Sequence, residues 1–275
     1  MSKPTTEPML TWIDDRHYSD SAKTLHTRLG LPLLSEASAE HSYDPEKDAL
    51  LSWQTPKKSV TQQLTLIPPN TGAISIDFLG GKKAHRRQFG GGKGQPLIRA
   101  MGSLEERLPE VFDATAGMGG DSFVLASLGF NVWMNERSPI VHALLQDALQ
   151  RAQNADDLEP ETRGIIERLK LTNGDSAEII RHCEQELETI YLDPMYPEKR
   201  KKAATKKEMA ALQQLLGPDM DSSDLLDAAL NKAIYRVVVK RPKGAEPIAH
   251  EIQPTTAVQS PNTRYDIYVI KTLKR

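Results

Sequence analysis

The apolar run Ile190-Tyr191-Leu192 ends in Asp193-Pro194-Met195-Tyr196-Pro197, which brings a carboxylate, a rigid carbonyl and an aromatic ring to one strand tip. Pro194 has a fixed φ and no amide hydrogen, so it cannot continue a sheet ladder and the chain turns out there. Such a tip is where open α/β sheets hold their ligands. The grouping suits the exocyclic amine of a nucleobase. Asp193 accepts one amino hydrogen, the Pro194 carbonyl accepts the other, and the Tyr196 ring stacks on the base. An aryl amine is a poor nucleophile because its lone pair is delocalised. Two acceptors aimed at its hydrogens favour the reactive form, which is electrostatic help placed where charge develops. Catalytic candidates are therefore Asp193, Pro194 and Tyr196, although an Asp-Pro pair also occurs as a plain turn in which Asp bonds its own backbone.

A second motif lies upstream. Glu110-Val111-Phe112-Asp113 is a short apolar strand that breaks into Ala114-Thr115-Ala116-Gly117-Met118-Gly119-Gly120 and then a helix-periodic run from Asp121. This strand–loop–helix layout lets backbone approach a ligand closely. The nicotinamide fingerprint would need glycine where Ser122 stands. A phosphate-binding P-loop would need glycine at Arg87 and a hydroxyl at Gly94 around Lys93. Asp113 at the head of the loop and Asp121 at the helix start repel a pyrophosphate, and suit a ligand carrying an amine and a sulfonium charge. A plain strand–helix turn built of small residues is the alternative.

The next strand ends carry polar groups too. Phe130 to Glu136 is a second strand ending in an acid followed by Arg137, a little over twenty residues past Asp113. That is about the 20-residue interval at which such folds present a carboxylate to ribose hydroxyls. Leu169 to Gly174 is a third strand with Asp175-Ser176 at its tip, and the fourth carries Asp193. Any one of these is a solvated turn residue as readily as a ligand contact; in register they point to one ligand-binding edge.

In this order the motifs resemble a class I S-adenosylmethionine-dependent methyltransferase. With Ile76-Asp77-Phe78, Ala84-His85-Arg86-Arg87-Gln88-Phe89-Gly90-Gly91-Gly92, Val237-Val238-Val239-Lys240-Arg241-Pro242 and Arg264-Tyr265-Asp266-Ile267-Tyr268, the chain resembles the RsmJ (YhiQ) family over about residues 72–270. These are bacterial 16S ribosomal RNA guanine-N2 methyltransferases. The resemblance implies S-adenosylmethionine as cofactor and guanine 1516 of 16S rRNA as target. It also implies cofactor contacts at Gly120-Asp121, Glu136-Arg137, Asp175-Ser176 and Asp193, beside Asp113, Gly117 and Gly119 of the loop. Two positions depart from the family pattern: arginine is expected at Gly120, and Ser-Ser at Asp175-Ser176. Rival readings are an adenine-N6 methyltransferase on RNA or DNA, and a non-catalytic RNA-binding module of the same fold.

Composition is compatible with this. The 275 residues carry a net charge of −2, a hydrophobic fraction of 39% and one cysteine, Cys183. That excludes a disulfide framework and a cysteine-paired zinc site within the chain. With no apolar run approaching ~18 residues and no cleavable leader, a soluble cytoplasmic protein is expected, with no metal and no membrane partner. The near-neutral total hides segregation. Lys82, Lys83, Arg86, Arg87, Lys93 and Arg99 stand in a stretch without acids. Lys199, Arg200, Lys201, Lys202, Lys206 and Lys207 follow the Asp-Pro turn, and Lys232, Arg236, Lys240, Arg241 and Lys243 form a third cluster. Any one run alone would be a solvated surface; three flanking the inferred edge suit a polyanion, here 16S rRNA or the small ribosomal subunit. Gly80-Gly81 and Gly90-Gly91-Gly92 bracket a basic loop in which His85 is a positioned donor.

The elements that must carry these groups follow from periodicity. Tyr235 to Lys240 is a buried fifth strand by its β-branched run. Thr255–Gln259 and Tyr265–Ile270, joined by a Ser-Pro-Asn-Thr turn, form a closing hairpin. The expected architecture is a Rossmann-like mixed seven-stranded sheet with helices on both faces, over residues 79–275. Residues 1–78 are read as a small α/β subdomain, with strands at Leu10–Ile13, Ala49–Trp53, Leu64–Ile67 and Ala73–Phe78 and a helix from Ser19 to Leu29.

Overall fold

The computed structural model describes residues 11–14, 19–34, 43–55, 61–80, 95–194 and 221–273. The described chain packs as two compact units, one running to Ile76 and the other starting at Asp77.

The first unit is a five-stranded sheet in the order β2-β1-β3-β4-β5. Its strands are β1 (Thr11–Asp14), β2 (Leu33–Leu34), β3 (Ala49–Gln54), β4 (Gln63–Ile67) and β5 (Ile74–Ser75), with helix α1 (Ser19–Leu29) between the first two. α1 stops where expected: Gly30 takes a left-handed φ of 66°, and its amide donates to the His26 carbonyl at 2.8 Å, a helix-terminating bond. Two details differ from the sequence reading. β2, which adds in parallel to β1, has no counterpart in it. The strand expected over Ala73–Phe78 pairs only through Ile74 and Ser75, because Asp77 Oδ1 accepts the amides of Leu79 and Gly80 (2.9 and 3.1 Å) and bends the chain away.

The second unit holds the seven-stranded mixed sheet. Its elements run α2 (Pro96–Met101), β6 (Val111–Asp113), α3 (Gly120–Ser127), β7 (Val132–Glu136), α4 (Pro139–Gln153), α5 (Pro160–Glu167), β8 (Leu169–Asn173), α6 (Ser176–His182), β9 (Leu187–Leu192), α7 (Ser222–Lys232), β10 (Ala233–Pro242), β11 (Thr256–Gln259) and β12 (Thr263–Val269). The strand order is β11-β12-β10-β9-β6-β7-β8. β8, β7, β6, β9 and β10 are parallel, and β12 returns antiparallel to β10 as the inner half of the closing hairpin.

Strand periodicity explains why both faces are covered. Ile190 and Leu192 of β9 and Val237 and Val239 of β10 pack with Ile180 of α6 and Leu226 and Ala229 of α7 in one cluster. Tyr191, between the two β9 residues, faces the other side, where its hydroxyl reaches α3. A strand buried on both faces has no polar side to alternate, hence the continuous apolar run.

The registers bring the strand ends level. Asp113 stands opposite Met134 and Tyr191, Glu136 opposite Asn173, and Leu192 opposite Val239. One residue further along their strands come Asp193 and Lys240.

Candidate active site

At the end of β6 the chain leaves the sheet by riding over both neighbouring strands. The Ala114 amide donates to the Tyr191 carbonyl of β9 at 2.9 Å, and the Ala116 amide to the Asn135 carbonyl of β7 at 3.1 Å. Gly117 and Gly119 then take φ of 53° and 67°, left-handed values that cost a side-chain-bearing residue dearly, and Gly119 becomes the N-cap of α3. Asp113 fastens the loop from beneath. Its carboxylate accepts the Thr115 amide (3.1 Å) and the hydroxyl of fully buried Ser122. Ser122, where a nicotinamide fingerprint would have glycine, thus has its own structural task. A Cβ at Gly120 would meet nothing within 4 Å, so the arginine expected there in the family has open space to enter.

Glu136, at the tip of β7, is buried, and each of its oxygens accepts a backbone amide. Gly117 N–H lies 2.8 Å from Oε2 and Ser138 N–H 2.8 Å from Oε1. The same carboxylate offered to ribose hydroxyls therefore also holds the glycine loop. Beneath it, Asn135 is fully buried and donates to the Gly174 carbonyl (2.9 Å) and Ser176 Oγ (2.7 Å). Ser176 in turn donates to the Ala114 carbonyl at 2.6 Å. Ser176 is thus a buried tie between β8 and the loop. Asp175 is exposed and caps α6 by accepting the Glu178 amide at 3.0 Å. Exposed Arg137 pairs with Asp221 Oδ2 at 3.0 Å.

The third group of contacts centres on Lys240. Its ammonium donates to Asp121 Oδ2 at 2.7 Å and Asp193 Oδ2 at 2.8 Å. The Tyr191 hydroxyl donates to the same Asp121 oxygen at 2.6 Å, and the Asp193 amide donates to Thr115 Oγ1 at 2.6 Å. Pro194 follows, buried. Asp193 is thus held at the backbone by the glycine loop and at the side chain by β10.

These surroundings displace the titrations. Burial pushes the Asp113 carboxyl up to about 7, against the pull of the Ser122 and Thr115 hydrogen bonds, with Asp121 and Asp193 adding to the rise. Burial, then the nearby carboxylates of Asp121 and Asp193, holds the Tyr191 phenol well above its ordinary value. Burial alone would lower Lys240, but Asp193 and Asp121 more than offset it and raise it. Among the described residues, Asp121 and Asp193 share the Lys240 ammonium, a surplus of carboxylate that suits a cationic ligand and disfavours a pyrophosphate.

The structure therefore brings Asp113, Gly117, Gly119, Gly120, Asp121, Glu136, Ser176, Asp193 and Pro194 to one sheet edge, with Asp175 and Arg137 on its outer rim. Lys240 and Arg241, grouped with the basic clusters by sequence, sit otherwise. Lys240 is bound within this edge, and Arg241 is buried with its guanidinium on the Glu246 carbonyl. Met195, Tyr196, Lys82, Lys83, Arg86, Arg87, Lys199, Arg200, Lys201 and Lys202 lie outside the described residues. Thr115, Ser122, Asn135 and Tyr191 are site residues that sequence reasoning did not single out. No His, Cys, Asp and Glu cluster among the described residues could hold a metal ion, and no described helix is long and apolar enough to cross a membrane.

The chain is similar to known proteins over most of its length. Residues 36–270 match the family described as "Putative SAM-dependent methyltransferase". Ribosomal RNA small subunit methyltransferase J of Hydrogenovibrio crunogenus is 55% identical over 268 residues, 95% of each chain. The protein of that name from Pseudomonas aeruginosa is 42% identical over 256 residues, covering 93% of this chain and 92% of its own. The crystal structure of the SAM-dependent methyltransferase NGO1261 from Neisseria gonorrhoeae superposes with a TM-score of 0.67 at 30% identity, covering 94% of this chain and 95% of its own. The sheet is that of a Rossmann-like class I methyltransferase, and the cofactor is S-adenosylmethionine. With the glycine loop, the level row of acids and the Asp-Pro tip all in place, the chain belongs to the RsmJ family of S-adenosylmethionine-dependent methyltransferases.

Proposed function

We propose that this enzyme transfers a methyl group from S-adenosylmethionine to the exocyclic N2 amine of a guanine in 16S rRNA, guanine 1516 in the family's numbering. The observation that carries this reading is the seating of Asp193. It closes a parallel strand beside the glycine loop, is held there by Thr115 and Lys240, and is followed by a proline that frees a carbonyl. The relatives' name, a small-subunit ribosomal RNA methyltransferase, supports the substrate class. Residues 79–275 are read as the methyltransferase domain and 1–78 as its accessory subdomain, and an rRNA substrate would place the enzyme in the cytoplasm.

The cofactor supplies an electrophilic methyl carbon on sulfur. Asp193 and the Pro194 carbonyl accept the two amino hydrogens of the guanine, and Tyr196 stacks on its ring. When bound, the cofactor would supply that methyl with cleavage of the C–S bond as the new N–C bond forms, so the chain's own residues need only hold and orient the amine. The surplus proton on nitrogen passes to water, for which no dedicated base is required. Glu136 would hold the ribose, and the loop from Gly117 to Asp121 would hold the amino acid portion. Lys82, Lys83, Arg86, Arg87, Lys199, Arg200, Lys201 and Lys202 would meet the RNA backbone.

The test is labelled transfer to small-subunit rRNA followed by nucleoside mass spectrometry, with Asp193→Ala beside the parent. The parent is expected to yield N2-methylguanosine, and the variant to lose about a hundred- to a thousand-fold in rate, as when one preorganised donor or acceptor is removed. N6-methyladenosine as product would replace guanine by adenine, and turnover within tenfold of the parent would remove Asp193 from the role.

A further inference from the structure

Lys240 is the feature of this edge that the proposed chemistry leaves unused. It stands on β10, one residue beyond Val239, which pairs with Leu192; that register sets it beside Asp193. Its ammonium is mostly buried and bonded to two carboxylates from different elements, Asp121 of α3 and Asp193 of the β9 tip, at 2.7 and 2.8 Å. A phosphate-gripping lysine would extend into solvent as a point charge. This one is spent inside the protein.

We propose that Lys240 is a positioning residue for methyl transfer: by clamping Asp193 to Asp121 it fixes the direction of the carboxylate that receives the target amine and keeps that carboxylate ionised. This rests on the reading of Asp193 as the amine's acceptor. Two carboxylates this close repel one another, and a carboxylate that takes up a proton loses acceptor strength. The ammonium opposes both effects. The bond from Asp121 to Tyr191 completes the frame, because it ties the helix that carries one carboxylate to the strand that carries the other.

Among the described residues, charged and titratable groups face the pair from four strands and one helix. β6 contributes Asp113, α3 contributes Asp121, and β9 contributes Tyr191 and Asp193. On β10 the neighbouring Arg241 is directed to the Glu246 carbonyl. On β12, Arg264 and Asp266 pair with each other at 2.6 Å, and Tyr265 stands opposite Lys240. Among these, Lys240 is the cation bonded to Asp193, so its removal is the change that the protonation of Asp193 should register.

Lys240→Met and Lys240→Arg are compared with the parent in methyl transfer to small-subunit rRNA from about pH 3 to pH 9, spanning the ordinary carboxylate range at about 3.9, at saturating cofactor and RNA. Lys240→Met is expected to lower kcat at neutral pH on the order of a hundredfold, the scale of a small misplacement of a reacting group. It should also move the acidic limb of the kcat profile upward by about one pH unit or more, since an opposite charge at this distance shifts a carboxylate by about 1–3 units. Lys240→Arg keeps the charge and should return the limb close to its original place. A merely structural loss would lower the amount of active enzyme and leave the limb where it was, which would overturn the proposal. A raised RNA dissociation constant, with unchanged kcat and a salt slope flatter by about 0.7–0.9, would also overturn it, because that is the signature of a phosphate contact. Should Lys240→Met fail to fold, Lys240→Met with Asp121→Asn removes the cation without leaving two facing anions. Its acidic limb should still lie above the parent's, and coincidence with the parent would count against the clamp. The limb is read on whichever nucleoside the parent methylates, so a product other than N2-methylguanosine corrects the target base without obscuring the result for Lys240.

Discussion

Gly119 and Gly120 are adjacent, yet substitution of each by alanine should have opposite consequences. Gly119 sits at φ 67°, where a side-chain-bearing residue pays about 1–2 kcal/mol for the left-handed conformation. A Cβ there would lie 2.9 Å from Leu145 Cδ2 and 3.1 Å from Phe78 Cζ. Both neighbours are essentially inaccessible to solvent, so neither can swing aside freely. Such overpacking adds about 1–3 kcal/mol. Gly119→Ala should therefore destabilise the fold by about 2–5 kcal/mol, the sum of these two ranges. The displaced loop should also bind S-adenosylmethionine at least ~10-fold more weakly, about 1.4 kcal/mol. At Gly120 an added Cβ would find open space, and the residue opens α3. Alanine is the better helix former by up to about 1 kcal/mol, so Gly120→Ala should be neutral or slightly stabilising. Urea unfolding measures both, provided the m-values agree, and calorimetric titration with the cofactor gives the second readout. Equal losses in the two variants, or a Gly119→Ala protein within about 0.5 kcal/mol of the parent, the ordinary scatter of innocuous substitutions, would refute the steric account of this loop.

Three further outcomes are expected. Glu136→Ala should weaken cofactor binding by about 1.5–3 kcal/mol, the range for hydrogen bonds to a charged group, and should lower stability as well, because it strips the acceptors from the Gly117 and Ser138 amides; calorimetry showing an unaltered cofactor dissociation constant would place the ribose elsewhere. The Asp113 carboxyl is pushed up to about 7 in the fold and titrates near 3.9 when unfolded, so the native state holds a proton that the unfolded chain has released. Stability from this group is complete below about pH 4 and is lost as pH rises through about 7. Asp113→Asn should therefore flatten the fall of Tm between pH 5 and 8 in differential scanning calorimetry, and an unchanged slope would show that the group titrates normally. Replacing Lys199, Arg200, Lys201 and Lys202 with glutamine should weaken RNA binding without regard to sequence and reduce the log–log salt slope by about 0.7–0.9 for each lost contact, while cofactor affinity stays as it was; an unchanged slope would make this run a solvated surface.

Much of the sheet was legible because each strand announces its own end. Val111 to Asp113, Val132 to Glu136 and Ile190 to Asp193 each run apolar and stop at an acid, and parallel pairing then sets those acids level without further information. The hairpin of β11 and β12 was equally plain from its Ser-Pro-Asn-Thr turn. What stayed hidden depended on side-chain direction across long separations. Lys240 counted as one more positive charge in a basic cluster, although β10 places it against carboxylates 47 and 119 residues away in sequence. Asp175, expected as a ligand group at a strand tip, also caps α6, a second use for which a short carboxylate is fitted and which the strand pattern does not announce. The strand expected to Phe78 failed because Asp77 bonds its own following amides, a local competition that hydrophobic pattern does not register. Thr115 in the loop and Ser122 in the first turn of α3 carried no signal beyond being small and polar.

The hydrogen bond from the Asp193 amide to Thr115 Oγ1, 2.6 Å long, gives the two halves of the reaction a physical route for coupling, and linkage between cofactor and RNA binding is the expected outcome. Thr115 belongs to the glycine loop proposed to hold one substrate and Asp193 to the tip proposed to receive the other, so this contact, with the Lys240 bridge to Asp121, joins the two. Linkage of this kind is reciprocal: whatever factor the cofactor applies to the affinity for RNA, RNA must apply to the affinity for the cofactor. S-adenosylhomocysteine should therefore change the RNA dissociation constant, and RNA should change that of S-adenosylhomocysteine by the same factor. Thr115→Val should uncouple them, and RNA titrations with and without S-adenosylhomocysteine that already coincide in the parent would show that no such link exists.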